Sequence, residues 1–278
     1  MPARPEPGPT RALAALYSRD SQRTVLSALT GIESEVAASL APGLEHNVAH
    51  ARLGWWREEL GRAAEGGGEH PLTRQLQKFF TGPDRGALAG LRGFADAATW
   101  DLASATFETR RDLAAYCARW SAALAEPFAT FALQGSAGAD VHAFGSALRE
   151  LELLCNLAAD ARSGRVRISL NELEAAGIAP GELARWPWSA PLCELVRRAH
   201  RDARAALARS ANALPPGAQP ALRALLVWAA LMRQHSLRTV AALPGAPPAG
   251  DHHAPLDGWR AWRAARRADA GRFALPAD

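Results

Sequence analysis

Apolar residues recur at helical spacing along almost the whole chain. Nowhere does the two-residue alternation of a half-buried strand run for a useful length. In Gln22 to Leu40 the positions Val25, Leu29, Ile32, Val36 and Leu40 follow steps of four, three, four and four, one stripe of a helix. Pro42-Gly43 ends it, and Ala49, Leu53, Trp56 and Leu60 repeat the pattern up to Gly66-Gly67-Gly68. Further helices are expected around Leu72 to Phe80, Arg85 to Leu102, Thr109 to Leu133, Val141 to Arg162, Leu192 to Ala213, Gln219 to Leu243 and Gly258 to Ala270. Gly135 to Gly138 reads as a loop, and Arg165 to Leu170 as a short extended piece before a short helix at Asn171. The expectation is an all-α, single-domain antiparallel helical bundle.

At 278 residues and 48% hydrophobic content, the chain can bury one large core. We divide it into an N-terminal disordered tail (1–10), a helical domain (11–243), and a Pro/Gly linker with a C-terminal amphipathic helix (244–278). The net charge of +4 comes almost wholly from arginine, scattered without a block of like charges, which does not favour nucleic-acid binding. Cys117, Cys155 and Cys193 are odd in number and far apart, so neither a disulfide framework nor a zinc knuckle is expected. The proline-rich start lacks a signal-peptide core, and the longest apolar run, Leu225 to Met232, is too short to span a bilayer. A bacterial, cytoplasmic protein is the expectation, with peripheral membrane contact left open.

The segment Leu151 to Ile168 carries the strongest chemical signal. Glu152, Asn156 and Asp160 recur every four residues and would share one helix face, opposite an apolar stripe of Phe144, Leu148, Leu151 and Cys155. An oxygen row pointing into a helical cavity suits a hard cation such as Mg²⁺. The plainer alternative is a solvated face ending at Gly164.

This segment, with Gly164-Arg165-Val166 and Leu170-Asn171-Glu172-Leu173 through Gly177-Ile178, resembles the second aspartate-rich region of the squalene/phytoene synthase family. Arg52-Leu53-Gly54-Trp55-Trp56-Arg57-Glu58-Glu59-Leu60 with His70-Pro71-Leu72, and Trp100-Asp101-Leu102 with Phe107-Glu108-Thr109 and Tyr116-Cys117, resemble further family segments in order and spacing. The resemblance covers roughly Val25 to Leu243. It implies an isoprenoid-synthase bundle joining two prenyl diphosphates head to head around Mg²⁺, which neutralises the departing diphosphate while an apolar interior shelters the carbocation. It also implies metal contacts at Glu152, Asn156 and Asp160, and substrate contacts at Tyr116 and Arg165.

Three departures bear on that activity. The second motif's first aspartate falls on Asn156, and the family's preceding asparagine falls on Glu152. The first motif's aspartates fall near Ala37, Ala38 and Ala41, with Glu33 and Glu35 nearby but off register. Ser121-Ala122-Ala123-Leu124 stands where the family has a glycine-containing segment. Head-to-head prenyl transfer is therefore doubtful. Two readings follow: a protein handling a prenyl diphosphate or related isoprenoid through an altered Mg²⁺ site, or a non-catalytic member acting as a binding or assembly partner of another protein.

Two smaller features stand apart. His46 and His50 are one turn apart, but no third metal ligand is spaced to help, so helix-end or core histidines are preferred. Trp259 and Trp262 lie among Arg260, Arg263, Arg266 and Arg267, a composition suited to an anionic membrane surface or acidic partner. The preferred reading is a terminal helix that docks its tryptophans on the bundle and leaves its arginines in water.

Overall fold

The computed structural model describes residues 8–41, 43–103, 106–135, 139–245 and 254–276. The tail up to residue 7, Pro42, loop positions 136–138 and linker positions 246–250 lie outside them. The described residues form α-helices joined by 3-10 turns and loops, with no strand among them. In order these are α1 (Pro9–Ala15), α2 (Asp20–Ala37), α3 (His46–Glu65), α4 (Pro71–Gln77), α5 (Arg92–Leu102), α6 (Arg110–Ala123) and α7 (Ala125–Ala132). Then follow α8 (Ala139–Cys155), α9 (Leu157–Arg162), α10 (Leu170–Ala175), α11 (Ala190–Asn212), α12 (Arg223–Ala242) and α13 (Asp257–Asp269). No described helix is long and apolar enough to cross a membrane.

α8 is the central element, packed against α6, α11 and α12. Its stripe of Phe144, Leu148, Leu151 and Cys155 is buried, as the spacing predicts. One core runs from Ala14 in α1 to Leu275 after α13. The approach of α8 to α6 depends on Gly145, where an added Cβ would lie 2.3 Å from Ser121 Oγ and 2.6 Å from Ala125 Cβ.

The structure differs from the sequence expectation in four places. A helix, α1, begins at Pro9, where proline's fixed φ and missing amide suit a first turn. The stretch Thr109 to Leu133 is two helices broken at Leu124 (φ −123°, ψ −60°), because Pro127 has no amide to offer Ala123 and its ring crowds that carbonyl. The stretch Val141 to Arg162 breaks at Asn156 (φ −100°, ψ 7°), whose side-chain amide donates to the carbonyl of Glu152 at 3.1 Å and competes with the helical bond there.

The fourth difference is the orientation of α13. Ala261, Ala264, Ala265 and Ala268 face the bundle, on the side packed against α12, while Trp259 and Trp262 point outward. Two acidic anchors set this rotation. Asp257 receives both terminal nitrogens of Arg238 (2.8 and 3.2 Å) and the amide of Ala254, and Asp269 receives Arg223 at 2.9 Å.

Elsewhere, local sequence explains the helix starts. Thr109 and Asp112 form a reciprocal cap on α6, each side chain accepting the other's amide. The buried Glu59 accepts from the amides of Glu69 and His70, both at 2.8 Å, and from the Thr73 hydroxyl at 2.5 Å. It thereby fixes the His70-Pro71 entry to α4. Burial pushes its carboxyl up, but these hydrogen bonds outweigh it and hold the pKa below the ordinary glutamate value.

Candidate functional site

The carboxylates singled out in the sequence lie in the bundle interior, and each meets an arginine. Glu152 of α8 takes a bidentate pair from Arg11 of α1, Nε to Oε1 at 2.7 Å and Nη2 to Oε2 at 2.6 Å. The same guanidinium reaches across to α2, where its Nη1 lies 2.6 Å from Glu33 Oε2. Arg149, one turn before Glu152, also bonds Glu152 and lies 3.5 Å from Glu33. Trp120 of α6 donates its indole N–H to Glu33 at 2.8 Å. The guanidinium of Arg11 sits 4.6 Å from the ring centre of Trp228 and 5.6 Å from that of Trp120.

Asp160 lies in a second cluster beside the first. Arg167, just beyond α9, forms a fork with Asp101 of α5 at 2.7 and 2.9 Å and turns its Nε to Asp160 at 3.1 Å. Arg165 approaches the other oxygen of Asp160 at 3.2 Å. Tyr116 belongs to this second cluster: its hydroxyl donates to Asp101 at 3.1 Å, and the guanidinium of Arg167 lies 5.0 Å from its ring centre. Two arginines thus balance two glutamates in one half, and two balance two aspartates in the other.

The protonation states follow from this balance. Burial pushes the Glu152 carboxyl up, but Arg11 and Arg149 outweigh it and hold the pKa below the usual value. Burial works against the charges of Arg11 and Arg167, and their acidic partners more than restore them. Burial raises the Tyr116 phenol above its ordinary value and the Cys117 thiol to about 12, so both stay protonated near neutrality.

Mg²⁺ asks for near-octahedral oxygen donors, commonly one or two carboxylates with waters and phosphates. Here the Glu152 and Asp160 oxygens face guanidinium groups, and Asn156 turns its amide nitrogen back onto its own helix. Among the described residues, no three His, Cys, Asp or Glu side chains are grouped to hold a metal. As arranged, the donor set does not fit the cation. His46 and His50 bond to each other at 3.0 Å on an exposed helix face.

The structure pairs Arg165 with Asp160 and links Tyr116 to Asp160 through Asp101 and Arg167, while Glu152 lies before the break at Asn156 and Asp160 after it. Ala37, Ala38 and Ala41 sit at the end of α2 and its following turn. Ala41 helps line a cavity of about 130 Å³ shared with Asp101, Ser163 and Arg165. Beneath α1, the space left between Arg11, Thr30 and Trp228 is about 40 Å³. Pockets that take small organic ligands are roughly 300–1,000 Å³. Sequence reasoning passed over Arg11, Arg149, Arg167 and Trp120. Only Arg149 left a signal, its helical spacing from Glu152.

The family model for squalene/phytoene synthase matches residues 5–260. The chain belongs to the squalene/phytoene synthase family. Two solved structures share its all-α isoprenoid synthase fold. One is a dehydrosqualene synthase in complex with ligand, at TM-score 0.70 and 15% identity, covering 93% of this chain and 90% of that one. The other is the squalene synthase HpnC from Alicyclobacillus acidocaldarius, at TM-score 0.64 and 19% identity, covering 85% of this chain and 89% of its own. No curated protein sequence gives a significant match.

Proposed function

We propose that this family member is non-catalytic and acts as a binding or assembly partner, its arginines taking the charge-balancing role that the resemblance assigns to Mg²⁺. The observation that carries this reading is Arg11, which bridges Glu33 and Glu152 from a helix laid over the bundle interior. A diphosphate leaving group needs divalent cations to neutralise it, and those cations need free carboxylate oxygens. Here the oxygens of Glu33, Glu152, Asp101 and Asp160 are already bound by fixed cations.

The competing reading keeps prenyl diphosphate handling, with Mg²⁺ on Glu152, Asn156 and Asp160 and substrate at Tyr116 and Arg165. Thermal denaturation of the purified protein with farnesyl or geranylgeranyl diphosphate and Mg²⁺ separates the two. We expect an unchanged melting temperature and no release of diphosphate. A rise that Asp160→Ala abolishes would overturn the non-catalytic reading.

A further inference from the structure

The outward face of α13 combines two chemistries that rarely share a solvated helix. Leu256, Trp259 and Trp262 follow one another at steps of three and are 57%, 52% and 54% exposed. At 100° per residue, Arg263, Arg266 and Arg267 lie on the same side, between and beside the tryptophans. The opposite side is the alanine row that packs inward.

Among the described residues, the charges on this face have no local balance. The helix has two carboxylates, and both are engaged from α12: Asp257 by Arg238, and Asp269 by Arg223. Arg260 shares Asp257 at 3.3 Å. Arg263, Arg266 and Arg267 have no carboxylate partner among the described residues, and the guanidinium of Arg263 lies 4.4 Å from the centre of the Trp259 ring. Beside them runs an open groove of about 280 Å³ whose lining includes Trp259, Arg263 and Arg267 of α13, Arg233 and Gln234 of α12, and Phe273. Cationic and apolar groups thus meet along it.

We infer that α13 docks on an anionic phospholipid surface, inserting Leu256, Trp259 and Trp262 at headgroup depth while Arg263, Arg266 and Arg267 contact lipid phosphates. Indole rings favour the boundary between headgroups and acyl chains, where the apolar ring and the N–H are both accommodated. Arginine pairs with phosphate in a fork and is attracted by a negative leaflet. A peptide offering only carboxylates would satisfy the arginines but would leave two tryptophans and a leucine in water. A bilayer accommodates both sets at once. The inference is independent of whether the bundle interior is catalytic.

Co-sedimentation of the full chain with vesicles tests this directly. The protein binds vesicles of mixed phosphatidylglycerol and phosphatidylcholine, does not bind phosphatidylcholine alone, and is released by raised salt. Trp259→Ala/Trp262→Ala and Arg263→Glu/Arg267→Glu each weaken binding by on the order of tenfold or more. Arg74→Glu/Arg111→Glu, which changes net charge equally on other helices, leaves binding in place. Circular dichroism checks that all variants keep the parental helicity, and brominated lipid quenches tryptophan fluorescence only where Trp259 and Trp262 are present. Failure of the parent protein to bind anionic vesicles overturns the inference, as does equal weakening by the Arg74/Arg111 variant. Self-association lost in the tryptophan variant without vesicle binding overturns it as well, and points to a second copy of the chain instead.

Discussion

Arg11 shows how much one side chain can decide. It closes an ion-pair network across α1, α2 and α8, so its loss leaves Glu33 and Glu152 facing each other with Arg149 as their shared arginine. Breaking a buried pair from one side costs more than removing both partners. Arg11→Ala should therefore destabilise the fold by about 3–5 kcal/mol in urea denaturation, and Arg11→Met/Glu152→Gln should recover part of that loss. The acid limb carries the same signature. Because the folded-state pKa of Glu152 is depressed, its contribution is present above the ordinary value of 4.5 and is lost as pH falls through the lower folded value. Glu152→Gln should flatten the fall in stability below pH 4.5, read by denaturation at a series of pH values. The four-residue spacing places Glu152, Asn156 and Asp160 on one helix face, but spacing alone leaves open whether that face is solvated or interior. It does not mark their cations, because Arg11 lies 141 residues from Glu152 and resembles any other arginine in an arginine-rich chain.

The helices themselves were mostly legible, for the reason that makes them stable: a repeated apolar stripe buries one face of each. Their interruptions were less so, because a helical rhythm continues through Leu124 and Asn156 while the backbone dihedrals leave the helical range there. Close helix contacts were also hidden. An added Cβ at Gly90 would lie 2.0 Å from the carbonyl oxygen of Ala122, whereas one at Gly54, inside α3, meets nothing within 4 Å. Gly90→Ala should lower the urea midpoint sharply, and Gly54→Ala should raise stability by up to about 1 kcal/mol through helix propensity. The α11–α12 contact has its own pH dependence. Burial, reinforced by Arg204 and His235, lowers the pKa of His200 from 6.5 to about 3, and its Nδ1 lies 2.8 Å from Ser236 Oγ. A histidine held neutral in the fold lets the unfolded chain bind protons first, so stability falls as pH drops from 6.5 towards 3. His200→Gln should reduce that slope across roughly pH 5 to 6.5, where few carboxylates titrate.

At the scale of the molecule, the two ends of the described chain meet on α12. Arg223 donates to the carbonyl of Tyr17, just past α1, and to Asp269 at the end of α13. Deleting residues 1–17 removes Arg11, the buried Ala14 and this tie together, so the melting temperature should fall further than for Arg11→Ala, as followed by circular dichroism. That α1 belongs to the packed body was not legible beforehand, because a seven-residue helix behind a proline-rich start gives too little periodicity to read. The ion-pair network beneath α1 also couples its members. With two arginines balancing two glutamates, removing the charge of Arg11, Glu33, Arg149 or Glu152 alone strands a buried charge, so these positions tolerate change best in oppositely charged pairs.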